Sequence, residues 1–250
     1  MSSISGINTS LNYGNIASGK RIQGAADDAA GLTIAKKLET QNKGLRAGEE
    51  NMGAAKAALT VEDGALGGIN EYLQKIRELS VKAMNGTNSD SDLQAIQKDI
   101  DGALAGIKDL AKGTEFNTKK LLDGSMGTME TAGNPDGTGM KIQMADATLE
   151  SLGIEGYNVT GKFDIGAIDN AINKVNEART TAGASMNALE YGMNYNSNAA
   201  LQQTSAQSGI EDLDIGKAVS EQKKNEVLDE YRIMMQKKQM EEESIVTKML

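Results

Sequence analysis

The chain has 250 residues and a formal net charge of −9, from 26 Lys and Arg residues against 35 Asp and Glu residues. This acidic balance argues against a duplex-DNA binder, and the absence of Cys and His removes disulfides, thiol nucleophiles, His-based catalytic triads and ordinary zinc sites. Aromatic residues make up only 3% and Pro occurs once, which argues against a broad globular core and is compatible with a helix-rich chain.

The first 22 residues contain no apolar run of the length found in a signal peptide. Nowhere do eighteen apolar residues follow one another, so we expect no membrane-spanning helix. If the protein is exported, we expect a route that reads no cleaved hydrophobic signal.

The strongest internal pattern is a seven-residue apolar repeat over residues 45–84, which predicts a long helix with a coiled-coil seam. One row of the seam is Leu45, Met52, Leu59, Leu66 and Leu73, and the other is Gly48, Ala55, Glu62, Ile69, Ile76 and Ala83. Because Glu62 is a carboxylate at a seam position, we expect it at a solvated or polar-lined end of the bundle. Turn residues at 85–88 (NGTN) end the predicted helix.

A second helix is predicted after this break, beginning at a capping box over residues 91–94. Its two seam rows are Leu93, Ile100 and Ile107, and Ile96, Ala103 and Leu110. The short connection favours an antiparallel hairpin with the first helix.

Residues 113–163 have a different composition, dense in Gly, Thr, Asn and Asp, and contain the only Pro. The sequence NPDG at 134–137 predicts a turn, and the alternation over 140–144 predicts a short strand. We interpret this segment as a small β-hairpin or loop region at the far tip of the helices.

A third long helix is predicted from Asp164, with a seam that is apolar at first and polar later. Its rows are Ile165, Ile172, Arg179, Met186, Met193 and Ala200, and Ile168, Val175, Ala182, Leu189, Asn196 and Gln203. The segment 217–250 is rich in charge and Met and offers an irregular apolar face. Residues 1–30 and 204–250 bury too little alone to offset their ordering entropy, so we expect them to fold against a partner.

Two local patterns suggest chemistry but are better explained by structure. Residues 14–21 nearly spell a phosphate-binding loop, yet Arg21 stands where a hydroxyl should hold Mg²⁺ and no apolar strand precedes the loop. Asp27 and Asp28 have small neighbours, which favours packing or a salt bridge to Arg21 over a paired-carboxylate site. Nucleotide binding at Gly14–Lys20 is therefore a disfavoured alternative.

Several blocks of the chain, in order and at both ends, resemble the bacterial flagellins. They are residues 17–22 (ASGKRI), 26–32 (ADDAAGL), 73–81 (LQKIRELSV), 85–88 (NGTN), 115–117 (EFN), 120–124 (KLLDG) and 205–214 (SAQSGIEDLD). The resemblance covers most of 7–124 and 164–216, and residues 125–163 stand where the family carries its variable region.

The resemblance implies a mostly α fold: a long antiparallel coiled-coil or helical rod built from the N- and C-terminal segments, with a small β-hairpin or loop region at the tip. It implies an inner terminal core, disordered in the monomer, from 1–35 and 205–250. It further implies a helical rod from 36–124 and 164–204, and a short variable tip at 125–163.

The function implied by the resemblance is structural, with no catalysis and no cofactor: a subunit that polymerises into the extracellular flagellar filament for motility. Export through the flagellar type III apparatus is implied, with an export chaperone, cap proteins and hook-associated proteins as partners, and no nucleic acid. A hook–filament junction protein is the alternative of the same class. The apolar residues of the seam rows would carry self-assembly and packing.

The family resemblance also implies recognition by Toll-like receptor 5, with Lys75, Glu78 and Leu79 on the first rod helix and Asp99 on the second as candidates. Strongly recognised relatives usually carry Arg at the position of Lys75 and Glu at that of Asp99. Because Lys lacks the planar donor fork of Arg, we expect binding through an apolar Leu79 patch but weakened activation.

Overall fold

The structure is a computed structural model that describes the backbone of residues 13–249 and the side chains of residues 13–242. Within these limits the chain is mostly helical and carries two small antiparallel strand pairs, which confirms the predicted fold class. The helices whose bounds both lie within the described residues are α1 (Ala25–Ala83), α2 (Asp90–Gly113), α3 (Leu149–Leu152), α4 (Gly166–Glu211) and α5 (Ile215–Met249). The strands are β1 (Glu115–Phe116), β2 (Lys119–Lys120), β3 (Thr128–Ala132) and β4 (Gly139–Gln143).

The chain divides into two compact units, one formed by residues 1–41 and 201–250 and the other by residues 42–200. We call them the terminal unit and the central unit. The long helices α1 and α4 contribute residues to both units. The segment 125–163 belongs to the central unit together with the helices and does not form a unit of its own.

In the central unit, α1 and α4 pack antiparallel. Three side-chain contacts show the direction: Lys56 with Glu190, Asp63 with Arg179, and Arg77 with Asp169. Residue numbers rise along one helix as they fall along the other, as an antiparallel pair requires.

Helix α2 packs against α1 in the same antiparallel sense. Leu110 lies against Gly68 and Tyr72 lies against Gly106, so that α1 has a helix on two of its sides. The predicted helical hairpin is therefore present.

The connection between α1 and α2 differs in detail from its prediction. The Asn88 side chain donates to the carbonyl oxygens of Lys82 and Ala83, so the predicted turn residues end α1. The capping box begins at Ser89 and not at Ser91: the Asp92 backbone N–H donates to Ser89 Oγ, and the Ser89 backbone N–H donates to the Asp92 carboxylate. The helix therefore begins two residues earlier than the sequence pattern predicted.

The predicted hairpin is formed by β3 and β4, paired in antiparallel register from Thr128 with Gln143 to Ala132 with Gly139. Its turn is the predicted one, since the Gly137 N–H donates to Asn134 O at 3.0 Å and Gly137 takes a left-handed φ of +83°. The position of the hairpin differs from the prediction.

The turn lies against the middle of the helices rather than beyond a far tip. A Cβ added to Gly44 would meet Pro135, and a Cβ added to Gly48 would meet the Gly133 carbonyl. At the other end of the hairpin, Ala145 contacts Glu62. The hairpin thus lies lengthwise along α1, because polar seam residues on the helices bind its backbone.

Candidate assembly and recognition surfaces

The predicted seam of α1 is enclosed within the central unit. Leu59, Leu66, Leu73, Ile69 and Ile76 are each 0% exposed. Other seam residues named from the sequence are buried at Leu45, Met52, Ile100, Ile107, Ile168, Val175 and Leu189, and partly buried at Leu93, Ile96, Ile165, Ile172 and Met186. Side chains enclosed in this way pack the chain itself, so contacts with further copies require other, exposed faces.

The expectation that Glu62 lies at a solvated or polar-lined end of the helix bundle is wrong. Its side chain is only 1% exposed and lies in the middle of the seam. Its Oε1 accepts a hydrogen bond from the Ala145 backbone N–H at 2.8 Å. Burial raises the pKa of Glu62, while the Ala145 N–H lowers it and the nearby Asp63 carboxylate raises it further. The seam therefore carries a buried carboxyl that is covered by the segment after β4.

Asn196 explains why the α4 seam becomes polar. Its buried amide Nδ2 donates to the carbonyl oxygens of Leu45, at 3.1 Å, and Gly133, at 2.7 Å. The Asn51 amide adds a bond to Ala132 O at 3.1 Å. These bonds give the Gly133 and Ala132 carbonyls of the hairpin side-chain donors on both long helices.

The β3–β4 turn packs on α1 at two glycines spaced one helical turn apart, Gly44 and Gly48. We call this site on α1 the hairpin seat. A Cβ on Gly48 would stand 2.1 Å from the Gly133 carbonyl oxygen, and one on Gly44 would stand 2.7 Å from Pro135. Both distances are far below ordinary contact, so only glycine permits this approach. Sequence reasoning did not identify the seat, although the four-residue spacing of the glycines is the signal that could have indicated it.

The residues predicted to face a receptor divide into exposed and buried ones. Lys75, Glu78 and Asp99 are exposed, and Lys75 Nζ lies 3.7 Å from Glu78 Oε2. A hydrogen bond from Lys82 and the charges of Lys75 and Lys82 lower the pKa of Glu78. Leu79 is only 4% exposed and belongs to the core. The prediction of an accessible Leu79 patch is therefore wrong, because two neighbouring helices bury a wider stripe of α1 than two seam rows.

In the terminal unit, the segment before α1 is tied to the end of α4. Lys20 Nζ lies 2.5 Å from Glu211 Oε1, and this hydrogen bond lowers the pKa of Glu211. The Arg21 N–H donates to Glu211 O and the Leu213 N–H donates to Gly19 O. The lysine of the near-match to a phosphate loop is thus already paired with a carboxylate, which argues against the nucleotide-binding alternative.

Asp27 and Asp28 serve as backbone acceptors at the start of α1. Asp27 Oδ2 accepts from the N–H groups of Gln23 and Gly24, and Asp28 Oδ1 accepts from the Gly31 N–H at 2.8 Å. Asp28 has non-helical φ and ψ of −161° and 96°, so the backbone is kinked at this residue within α1, and Asp28 caps the helical stretch that follows. The predicted packing role thus takes the form of capping; the Arg21 side chain binds Ile210 O instead of either aspartate.

Among the terminal-unit side chains that the structure describes, helix α5 presents the largest group of exposed apolar ones. Val227, Leu228, Tyr231, Met234 and Met235 recur at spacings of three, four and seven residues, so they share one face. Their exposed fractions run from 41% for Met235 to 66% for Met234. We call these five residues the α5 apolar face. Exposed apolar side chains gathered on one face of a helix are a feature of surfaces that contact other macromolecules.

We also searched the described part of the chain for membrane-spanning helices and metal sites. Between residues 13 and 249, no helix is both long enough and apolar enough to cross a membrane. Over the same part of the chain, no three acidic, His or Cys side chains are placed to share a metal ion.

Comparison with known families identifies the chain through both of its helical ends. The family model for the bacterial flagellin N-terminal helical region matches residues 8–127, and that for the bacterial flagellin C-terminal helical region matches residues 165–246. The chain belongs to the bacterial flagellin family. The residues between the two matches, 128–164, contain the β3–β4 hairpin and α3.

Individual flagellins are similar over the same regions. Flagellin of Salmonella berta is 36% identical over 193 residues, which are 76% of this chain and 37% of that protein. Phase 1 flagellin of Salmonella naestved is 37% identical over 186 residues, or 74% of this chain and 36% of that protein. The chain thus matches little more than a third of the length of these relatives.

Solved structures agree with this assignment. The crystal structure of Bacillus cereus flagellin is 28% identical, with a TM-score of 0.52, and the alignment covers 59% of this chain and 88% of that one. A candidate flagellar hook-associated protein from Vibrio parahaemolyticus has a TM-score of 0.63 over 74% of this chain and 100% of its own. At 16% identity, this structural likeness supports a shared fold alone. It does not favour a hook-associated function for this flagellin.

Proposed function

We propose that this flagellin is a structural subunit that assembles with copies of itself into the extracellular flagellar filament, and that it acts by assembly and not by catalysis. The membership of both helical regions in the flagellin family supports the proposal. The single observation that carries it is the α5 apolar face, whose side chains remain exposed in the isolated chain.

The α5 apolar face suits helix–helix assembly because the charges around it balance. Between residues 215 and 242, six Lys and Arg residues stand beside six Asp and Glu residues. An apolar stripe flanked by charges of both signs is typical of helices that pair with other helices. Burying five such side chains would contribute roughly 1.5–3 kcal/mol for each that becomes fully covered.

Sedimentation of the full chain after addition of preformed filament fragments tests this proposal. The triple variant Leu228→Ser, Tyr231→Ser and Met235→Ser should remain in the supernatant, because it loses the central part of the α5 apolar face. A matched control replaces three exposed polar residues of the same helix: Lys223→Ser, Glu230→Ser and Lys237→Ser. The control should sediment like the unmodified chain, and equal sedimentation of both variants would contradict the proposal.

In this proposal, residues 1–35 and 205–250 form the core of the assembled filament. Residues 36–124 and 164–204 form the helical rod. Limited proteolysis of the free subunit should then leave a resistant fragment close to the central unit, residues 42–200. Early cleavage between residues 45 and 111 with intact ends would contradict this division. Type III export, a chaperone, cap proteins and hook-associated proteins belong to the same proposal by family membership.

Recognition by Toll-like receptor 5 is part of the proposal only for the exposed candidates Lys75, Glu78 and Asp99. The double variant Lys75→Arg with Asp99→Glu should raise receptor signalling at fixed protein concentration, since Arg offers a planar donor fork and Glu reaches one methylene further. Because Leu79 is buried, Leu79→Ala should act through stability. Unchanged signalling by the folded double variant would contradict this assignment.

A further inference from the structure

Glu62 is a buried carboxyl whose position calls for a function beyond packing. It lies in the seam between Leu59 and Leu66, both 0% exposed, and is itself 1% exposed. Its Oε1 accepts from the Ala145 N–H at 2.8 Å, while its Oε2 is buried without a hydrogen-bond partner. A buried carboxylate oxygen without a partner is energetically costly when the group is ionised.

The charged groups around Glu62 do not neutralise it. On its own helix, Asp63 pairs with Arg179 of α4, with Nε and Oδ1 at 2.8 Å, so this guanidinium is already engaged. Asp63 adds a second negative charge next to Glu62. Among the described residues, Glu62 has no ion-pair partner of its own.

The segment that covers Glu62 also supplies no free cation. Ala145 and Asp146 border a surface depression together with Lys174 and Glu177 of α4. Lys174 Nζ donates to Ser151 O at 2.6 Å, and Asp146 Oδ1 accepts from the backbone N–H and hydroxyl of Thr148. Two carboxylates, Asp146 and Glu177, and one ammonium, Lys174, border this depression, so its charges do not favour ionisation of Glu62 while the segment covers it.

We propose that Glu62 is a proton-operated clasp that holds residues 144–147, the root of the β3–β4 hairpin, on α1. The neutral carboxyl stays buried and accepts the Ala145 N–H. Loss of its proton creates a charge that is more stable in water than in the seam, and the root of the hairpin opens to let water reach it. Acid thus closes the clasp, and rising pH loosens it.

The direction of this effect follows from proton linkage. Burial raises the pKa of Glu62 in the closed form above its value in an open, solvated form. The closed form is therefore fully favoured below the open-form pKa, and this advantage is lost as pH rises through the closed-form pKa. For each unit by which the two pKa values differ, the ratio of closed to open molecules falls about tenfold across that window.

Hydrogen exchange at the Ala145 amide measures the clasp directly in the full chain. After correction for the intrinsic pH dependence of exchange, protection of this amide should fall as pH rises from about 4 to 8. In Glu62→Gln, an uncharged side chain of similar shape, protection should not change with pH over this range. Glu190→Gln, at an exposed glutamate paired with Lys56, should still show the fall in Ala145 protection with rising pH that the unmodified chain shows.

Two results would overturn the proposal: pH-independent protection of Ala145 in the unmodified chain, or the same pH dependence in Glu62→Gln. If Glu62→Gln does not fold, the side-chain carboxyl of Glu62 can be titrated by carbon NMR in the unmodified chain. A midpoint above that of an ordinary glutamate supports the clasp. A midpoint at or below the ordinary value refutes it.

Discussion

The hairpin seat on α1 gives a prediction in which two Gly→Ala substitutions in one helix have opposite signs. In Gly48→Ala the new Cβ would stand 2.1 Å from the Gly133 carbonyl oxygen and 3.0 Å from the Asn196 amide nitrogen. The neighbouring atoms are mainly backbone, so the hairpin turn must move away from the helix. Overpacking of this kind costs about 1–3 kcal/mol, and losing the Asn196 bond to Gly133 costs about 1 kcal/mol more.

Alanine also favours the helical backbone by about 1 kcal/mol relative to glycine, which offsets part of this cost. We therefore expect Gly48→Ala to lower the free energy of unfolding by about 1–3 kcal/mol. Gly64→Ala is the matched control, because Gly64 lies in α1 and a Cβ added there would have nothing within 4 Å. It should raise the free energy of unfolding by about 0.5–1 kcal/mol.

Denaturant unfolding of the full chain, followed by circular dichroism, measures both effects. Stabilisation by Gly48→Ala equal to that by Gly64→Ala would show that the hairpin turn does not occupy the seat on α1. It would then also refute the explanation given for the polar residue Asn196 in the α4 seam.

Three further predictions concern the central unit. Leu66→Ala or Leu73→Ala should lower the free energy of unfolding by about 2–5 kcal/mol, since both side chains are fully buried; a loss below about 1 kcal/mol in denaturant unfolding would contradict the seam. Ser89→Ala should cost about 1 kcal/mol by removing the N-cap of α2, and unchanged thermal stability would refute this cap. The hydrogen bond from Lys56 lowers the pKa of Glu190, so the stability that this group adds is present above the unfolded-state pKa and is lost as pH falls through the folded pKa. Glu190→Gln should therefore reduce the loss of thermal stability at acid pH. If the melting temperature falls with acid as much as in the unmodified chain, the ion pair of Lys56 with Glu190 is contradicted.

Local and periodic features of the fold could be predicted from the sequence. The heptad rows identified Leu59, Leu66 and Leu73 as core residues because apolar periodicity directly reports which face of a helix is covered. The turn over residues 134–137 was predictable because Pro and Gly restrict the backbone locally. Neither inference needs knowledge of distant parts of the chain.

Features that depend on distant contacts could not be predicted in this way. The seam pattern showed that Glu62 was unusual, but its partner Ala145 is 83 residues away along the chain. Gly133, the partner of Asn196, is 63 residues away from it. Periodicity assigns a position to a face without indicating which segment covers that face.

The position of Leu79 and the start of α2 illustrate two other limits. Leu79 is buried because α1 is packed on two sides, and two heptad rows underestimate the width of a stripe that two helices cover. Ser89 and Ser91 each precede a residue suited to a capping box, at Asp92 and Gln94, so the local pattern is degenerate. The path of the preceding turn, fixed by Asn88, decides between them.

Electron microscopy of the purified full chain after salt-induced seeding tests the central claim, self-assembly into a filament, most directly. Negatively stained samples should contain long helical filaments whose length grows with subunit concentration. Subunits that remain monomeric under conditions in which the seeds persist, or that form only short rings of fixed size, would contradict the assignment as a filament subunit.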